Sequence, residues 1–369
     1  MKKRRSNAAP SMIRRAYARY GEHFSQRLYA DVMSEQSLEP KLSASKVVAL
    51  GLSLLIDLST IALFLGGIWC VVAPWFNPGY AFIGALMILT AFEVCPRVTK
   101  LPRRAQMLQP ARYPRTYSLV ARVAESMHAP APRCIAVEPA LNAGVARIGV
   151  TRRRYLMLGL PLLYVLDPQE RVAVIAHELG HEVNGDPLRG LLPQSALQTL
   201  GAWFSLFEPP LPLRVPRGVV WATSQTLLNL MWANSQRAEY LADAWSRRAA
   251  GTDAAVGALT MLQQQRVFSL AVHQAGLERA KGSELFDLLA ERFDNLRATE
   301  TPSNGEVAGR LDATHPPAPL RIAFLAAKSE FPTVTLGTGE SRAIDEELAN
   351  LIEPIGQSLI DDYLSTLYR

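Results

Sequence analysis

The chain has 369 residues, of which 49% are hydrophobic and 20% charged, with a net charge of +6. That length holds two domains, or one large domain plus membrane segments, and the apolar share is at the upper end for a soluble protein. The positive charge gathers near the N-terminus without aromatic-basic interleaving, which excludes a nucleic-acid footprint, and Cys70, Cys95 and Cys134 form no CxxC pair, which excludes a disulfide framework or a thiolate metal site.

Residues 1–46 begin MKKRR and continue with Ile13, Tyr17, Tyr20, Phe24 and Leu28 at helical spacing, a basic amphipathic helix. It is too long and polar for a secretory signal, and reads either as a solvated arm or as a helix lying on anionic lipid. Residues 47–100 read as a transmembrane helical hairpin. Val47 to Val72 is apolar with one charge, long enough to cross a hydrocarbon layer of roughly 30 Å. A turn containing Trp75 leads to a second, shorter apolar run from Tyr80 to Phe92. Both outer flanks are basic, with Lys41 and Lys46 before and Arg97, Lys100, Arg103 and Arg104 after, so both ends are expected in the cytoplasm. Asp57 is read either as a functional intramembrane carboxylate or as one bonded to a neighbouring helix.

From residue 101 to 369 the character is that of a soluble domain. Tyr113 to Met127 reads as a helix, and Cys134 to Glu138 and Arg154 to Leu160 as strands. Between them ALNAGVA, with Asn142, is either an edge against which an extended peptide pairs or a plain turn. Asp167 to Asp186 has consistent helix signals: Asp167 as N-cap, Pro168 at the first position, Glu170 three residues after the cap, Gly185 as the stop. This helix holds His177-Glu178-x-x-His181. Residues four apart share a helix face, so the two imidazoles can address one ion, and Glu178 beside them can take a proton from water that the ion activates. The apolar positions Val172, Val174, Ile175, Ala176 and Leu179 require burial, and two buried histidines and a glutamate need partners that an ion supplies.

A hydrophobic helical hairpin insertion is expected at about 190–233, as Leu191 to Phe207 and Gly218 to Ala233, either spanning or resting in the interface. Next comes ANSQRAEYLADAWSRRAAG, where Glu239 and Asp243 share a helical face. Glu239 is the natural third ligand, and Asp243 can hold the second ring nitrogen of a ligand histidine. A salt bridge to Arg237 or Arg247 is the plainer reading of either carboxylate. Residues 254–296 and 344–367 read as amphipathic helices. His315, followed by two prolines, sits on a loop, with Arg321 six residues on at the start of an apolar helix. His315 is read as a transition-state donor, as a resting-state metal ligand, or as a simple loop end.

HELGH at 177–181, AEYLAD at 238–243, LNAGVA at 141–146 and THPPAPLRI at 314–322 together resemble the motif blocks of HtpX-like and CAAX prenyl-protease-type membrane zinc metallopeptidases, over about 105–328. The resemblance implies a mainly α fold with a small β-sheet, a zincin-like metallopeptidase domain tethered by transmembrane helices. It implies one Zn2+ held by His177, His181 and Glu239, with Glu178 as base and Asn142, His315 and Arg321 contributing to substrate or transition-state binding. Gly144 and Val145 depart from the Phe-Ala usual after Asn-Ala. The expected activity is endoproteolysis of membrane or misfolded proteins by an integral protein of a bacterial inner membrane, its catalytic domain cytoplasmic. A metal-containing membrane-associated chaperone with little or no proteolysis is the alternative.

Overall fold

The computed structural model describes residues 12–35, 43–72, 78–97, 100–149, 153–184, 190–207, 214–299 and 315–367. The MKKRR start, the turn with Trp75, the stop at Gly185 and the link at 208–213 lie outside these residues. The chain divides into two units, 39–98 with 185–238, and 1–38 with 99–184 and 239–369.

The larger unit is mainly helical around one small sheet. Strands β1 (Gln106–Leu108), β2 (Cys134–Glu138), β3 (Ala143–Ile148) and β4 (Arg153–Gly159) lie in the order β1-β2-β4-β3. β2 and β4 run parallel, β3 is antiparallel to β4, and Val145 pairs with Leu156. The segment ALNAGVA therefore supplies an edge strand, and its Asn142 carbonyl accepts from the Gly159 N–H at 2.8 Å. Helix α4 (Pro114–Ser126) precedes β2, and a single-turn helix α5 (Leu160–Val165) follows β4.

Helix α6 (Pro168–Asn184) is buried on nearly every side. Its start is fixed as the spacing predicts: the Glu170 carboxylate accepts from the Asp167 N–H at 2.9 Å. Val172, Ala173, Val174, Ile175, Ala176 and Leu179 sit in the core with the inner faces of β2 and β4. Each fully buried methylene there contributes about 0.8 kcal/mol. Two charges enter this core only in pairs, Glu170 with Arg297 at 2.6 Å and Arg171 with Asp345 at 2.7 Å. The end of helix α1 (Met12–Ser34) also packs here, with Val32 buried and the Tyr29 ring 6.4 Å from that of Tyr240. Neither a solvated arm nor a lipid-lying helix describes that part of α1.

In the smaller unit, helices α2 (Ala44–Val72), α3 (Pro78–Val94) and α7 (Leu191–Leu206) pack with the first part of α8 (Arg214–Ala250). Among the described residues α2 is the one helix long and apolar enough to cross a membrane; α3 is apolar but has 17 residues. α2 and α3 meet through glycines. A β-carbon at Gly67 would lie 2.9 Å from the Gly84 carbonyl oxygen, and one at Gly84 2.6 Å from that of Gly67, the close backbone approach that helices in lipid favour. The outer surface carries Leu55, Leu65, Trp69, Phe82, Leu89 and Phe92, all exposed. Asp57 accepts a hydrogen bond from the Ser195 hydroxyl of α7, so of its two readings the interhelical bond is the one seen.

The separate apolar helix expected at 218–233 and the AEYLAD helix are one helix of 37 residues. The hydropathy falls at Asn234, but no proline or glycine interrupts the chain from Val219 to Ala250, and a change of polarity does not break a helix. Helices α9 (Thr252–Leu262), α10 (Gln265–Glu278), α11 (Gly282–Ala298), α12 (Ala318–Ala326) and α13 (Thr338–Leu367) complete the larger unit.

Candidate metal centre

Two helices and one loop converge in the larger unit. On α6 the His177 and His181 rings stand edge to face with centroids 4.9 Å apart and Nε2 atoms 3.2 Å apart. Gly180, between them, sets how closely α8 approaches. A β-carbon there would lie 3.1 Å from Ala242 Cα and 3.3 Å from Trp245, so a larger residue would push the helices apart. α8 then presents Glu239, with Oε1 3.4 Å from His181 Nε2 and Oε2 3.6 Å from His177 Nε2.

These separations test whether the residues fit an ion. Donors around a tetrahedral zinc at bonds near 2.1 Å stand about 3.4 Å from one another, which is the size of the triangle seen. Two nitrogen lone pairs and a carboxylate facing one another also repel unless a proton or cation lies among them. The donor set fits a divalent ion of the borderline-soft kind. Glu178 is buried, and donor atoms from His177, Glu178 and His181 all lie within 4.8 Å of one another.

The carboxylates beside the triangle fix its geometry. Asp243, one turn after Glu239, has Oδ1 3.1 Å from His177 Nδ1, which keeps the ring proton on Nδ1 and turns Nε2 toward Glu239 and His181. Arg321, at the start of α12, donates through Nε and Nη2 to both Asp243 oxygens at 2.8 and 2.6 Å, and its Nη1 lies 3.0 Å from Glu239 Oε2. This buried guanidinium grips the two carboxylates rather than facing open space. His315, just ahead of α12, brings Nδ1 to 2.9 Å from Glu239 Oε2 with its side chain 58% exposed. The sequence thus names seven residues that the fold gathers here, while Asn142, exposed just ahead of β3, forms no hydrogen bond with them among the described residues. Arg321 pairs with both carboxylates, and Arg247, a partner in the plainer reading, donates to the Phe324 carbonyl at 3.0 Å.

Burial opposes the charge on Glu239, but Arg321 and the flanking histidines outweigh it and hold the carboxyl well below its usual range. Asp243 is lowered in the same way, burial again being overcome by Arg321. For His177 burial favours the neutral ring, yet hydrogen bonds to Asp243 and Glu239 prevail and carry its pKa up to about 9. That proton stabilises the metal-free fold, fully below the ordinary 6.5 and no longer once pH has risen through about 9. A metal must displace it. Zinc affinity measured by competition titration is therefore expected to fall about tenfold for each unit of pH below about 9, with close to one proton released on binding. Affinity independent of pH over that range would mean His177 is not a ligand.

Sequence reasoning missed Glu182, directly after His181, which bridges Arg147 and Arg154 from β3 and β4. The charges are visible in the sequence; the strand register that brings them together is not.

The family model described as Peptidase family M48 matches residues 110–329, more than half of the chain. Protease HtpX of Pseudomonas putida strain GB-1 is 29% identical over 165 residues, 40% of this chain and 55% of that protein. Protease HtpX of Pseudomonas entomophila strain L48 matches to the same extent. A Protease HtpX homolog of Pyrobaculum calidifontis is 28% identical over 235 residues, 58% of this chain and 67% of that protein. The chain spans about half the length of the curated Pseudomonas relatives it matches. No solved structure matches it.

Proposed function

The chain belongs to peptidase family M48, and from that premise we propose that it is a membrane-anchored zinc metalloendopeptidase acting on membrane or misfolded proteins. The observation that carries this reading is the triangle of His177, His181 and Glu239 donors, 3.2 to 3.6 Å on a side, with the Glu178 carboxylate beside it. Zinc held there supplies a Lewis acid that polarises a carbonyl and makes water nucleophilic near neutral pH.

The remaining work falls to this chain's own side chains. Glu178 accepts the proton of the attacking water and returns it to the leaving amine. Asp243 orients His177, and Arg321 holds Asp243 and Glu239 in register. His315 faces the site from its loop and donates to the oxyanion that develops on the scissile carbonyl, a contribution of about 3 to 4 kcal/mol for such a donor. The outer edge of β3, which follows Asn142 and has no strand beside it among the described residues, receives the substrate as an added strand, which exposes one peptide bond at a time to the site. Only an extended segment can pair this way, so the substrates are unfolded or loosely held chains.

Chelation tests the reading: the detergent-solubilised protein is expected to lose cleavage of an unfolded membrane protein when zinc is removed and regain it with one equivalent of zinc, whereas Glu239→Ala takes up no stoichiometric metal. Full activity after metal removal would sink it. The apolar exterior of the smaller unit and the basic flanks of its first two helices support insertion in a bilayer with the larger unit cytoplasmic. A reporter fused after Lys100 is expected to be active in the cytoplasm; activity in the exported compartment alone would reverse the topology.

A further inference from the structure

A second charged cluster lies outside the metal centre. The register of β3 on β4 sets Arg147 directly opposite Arg154. Like charges at facing positions of an antiparallel pair repel. Glu182, in the last turn of α6, reaches both: its Oε2 lies 3.1 Å from Arg147 Nη2 and 3.4 Å from Arg154 Nε. The Glu182 side chain is 7% exposed, whereas the arginines are 32% and 40% exposed. One carboxylate against two guanidinium groups leaves the cluster positive. Glu182 also engages a single nitrogen of each, so among the described residues Arg147 Nη1 and both Nη atoms of Arg154 keep donors with no acceptor.

The position of this charge matters more than its sign. β3 ends the sheet order, so its outer edge has no strand beside it among the described residues. Side chains alternate along a strand, so Ala143, Val145 and Arg147 share one face, and the Arg147–Glu182 contact identifies it as the face toward the metal helix. A peptide added antiparallel to that edge has one residue directly opposite Arg147, its β-carbon about 5 Å away on the same face.

We propose that Arg147, assisted by Arg154, forms a subsite for an aspartate or glutamate side chain of the substrate strand, with Glu182 as the positioning residue that holds the arginines to α6. This rests on the reading that β3 receives the substrate. The experiment uses zinc-loaded full-length Glu178→Gln protein, which binds without turnover, and a fluorescent peptide of uncharged residues through which a single Glu is walked, each compared with Gln at the same position. One position is expected to bind about two- to fivefold more tightly with Glu than with Gln, the range for a half-exposed ion pair, and the ratio should shrink in high salt. In Arg147→Gln the ratio should drop to about one, and in Arg147→Glu a Lys at that position should become preferred. No preferred position, or a preference that persists in both Arg147→Gln and Arg147→Glu, overturns the proposal. Cleavage of the same peptides by the unsubstituted protein separates the two readings: a register-dependent affinity without any cleavage rejects the endopeptidase and keeps the subsite, while cleavage without a preferred position does the reverse.

Discussion

Glu178→Gln is expected to keep zinc at close to one equivalent per chain and to lose peptide hydrolysis by about a hundred- to ten-thousandfold. Gln has nearly the shape of Glu and leaves His177, His181 and Glu239 in place, so metal uptake should not change. It cannot accept a proton, and a positioned general base is typically worth that factor. The substitution also separates the two classes of role in the site. Loss of activity with the metal retained assigns Glu178 to chemistry, whereas loss of both would make it part of the metal's cage. The loss should appear in kcat with KM little altered, because the carboxylate acts in the transition state and not in holding the substrate strand. Zinc content by elemental analysis and turnover of an unfolded membrane protein decide the matter; unchanged turnover would remove Glu178 from the mechanism.

What the sequence discloses of this site is the part written in local spacing. His177 and His181 are one helical turn apart, so their meeting follows from the period of the helix alone, and Glu239 and Asp243 share a face of α8 for the same reason. The strands β2 and β4 are legible because Val137 and Leu158 lie in short apolar runs bounded by turn residues. Of three features that the hydropathy pattern does not state, two, β1 and the partners of Glu182, are fixed by contacts between distant parts of the chain, and the third, the continuity of α8, is masked by a change of polarity. β1 has three residues and exists by pairing Met107 with Ala136. The continuity of α8 depends on the absence of a breaker where the composition changes from apolar to polar. Glu182 draws its partners from two strands whose register no local pattern states. Arg321 is intermediate: its place at the start of an apolar helix is readable, but not that its fork closes on Asp243, 78 residues away.

That fork carries the second large expectation. Arg321→Leu is expected to destabilise the metal-free protein by about 3 to 5 kcal/mol, the usual cost of removing one partner of a buried ion pair, because Glu239 and Asp243 are each only 2% exposed and would keep only the protonated His177 ring between them as countercharge. Out of a typical total of about 5 to 15 kcal/mol this is a large share. With zinc bound the deficit should be smaller, since the ion restores positive charge beside Glu239, so the rise in Tm on adding zinc should be greater in the variant than in the unsubstituted protein. The pH dependence has a definite sign. In the unsubstituted protein both carboxyls lie below their usual range, so their stabilisation is present above that range and lost as pH falls. Without Arg321 burial is opposed only by the neighbouring histidines, so both carboxyls are lowered less and the variant loses less on acidification than the unsubstituted protein does, and the gap between the two should narrow. Arg321→Lys, which keeps the charge but not the two-pronged grip on Asp243, should fall between. Thermal unfolding in detergent, with and without zinc and at two pH values, reads all of this. A deficit for Arg321→Leu that is the same with and without zinc, and the same at both pH values, would mean that Arg321 contributes packing and not charge, and that the carboxylates of the metal centre are held by something else.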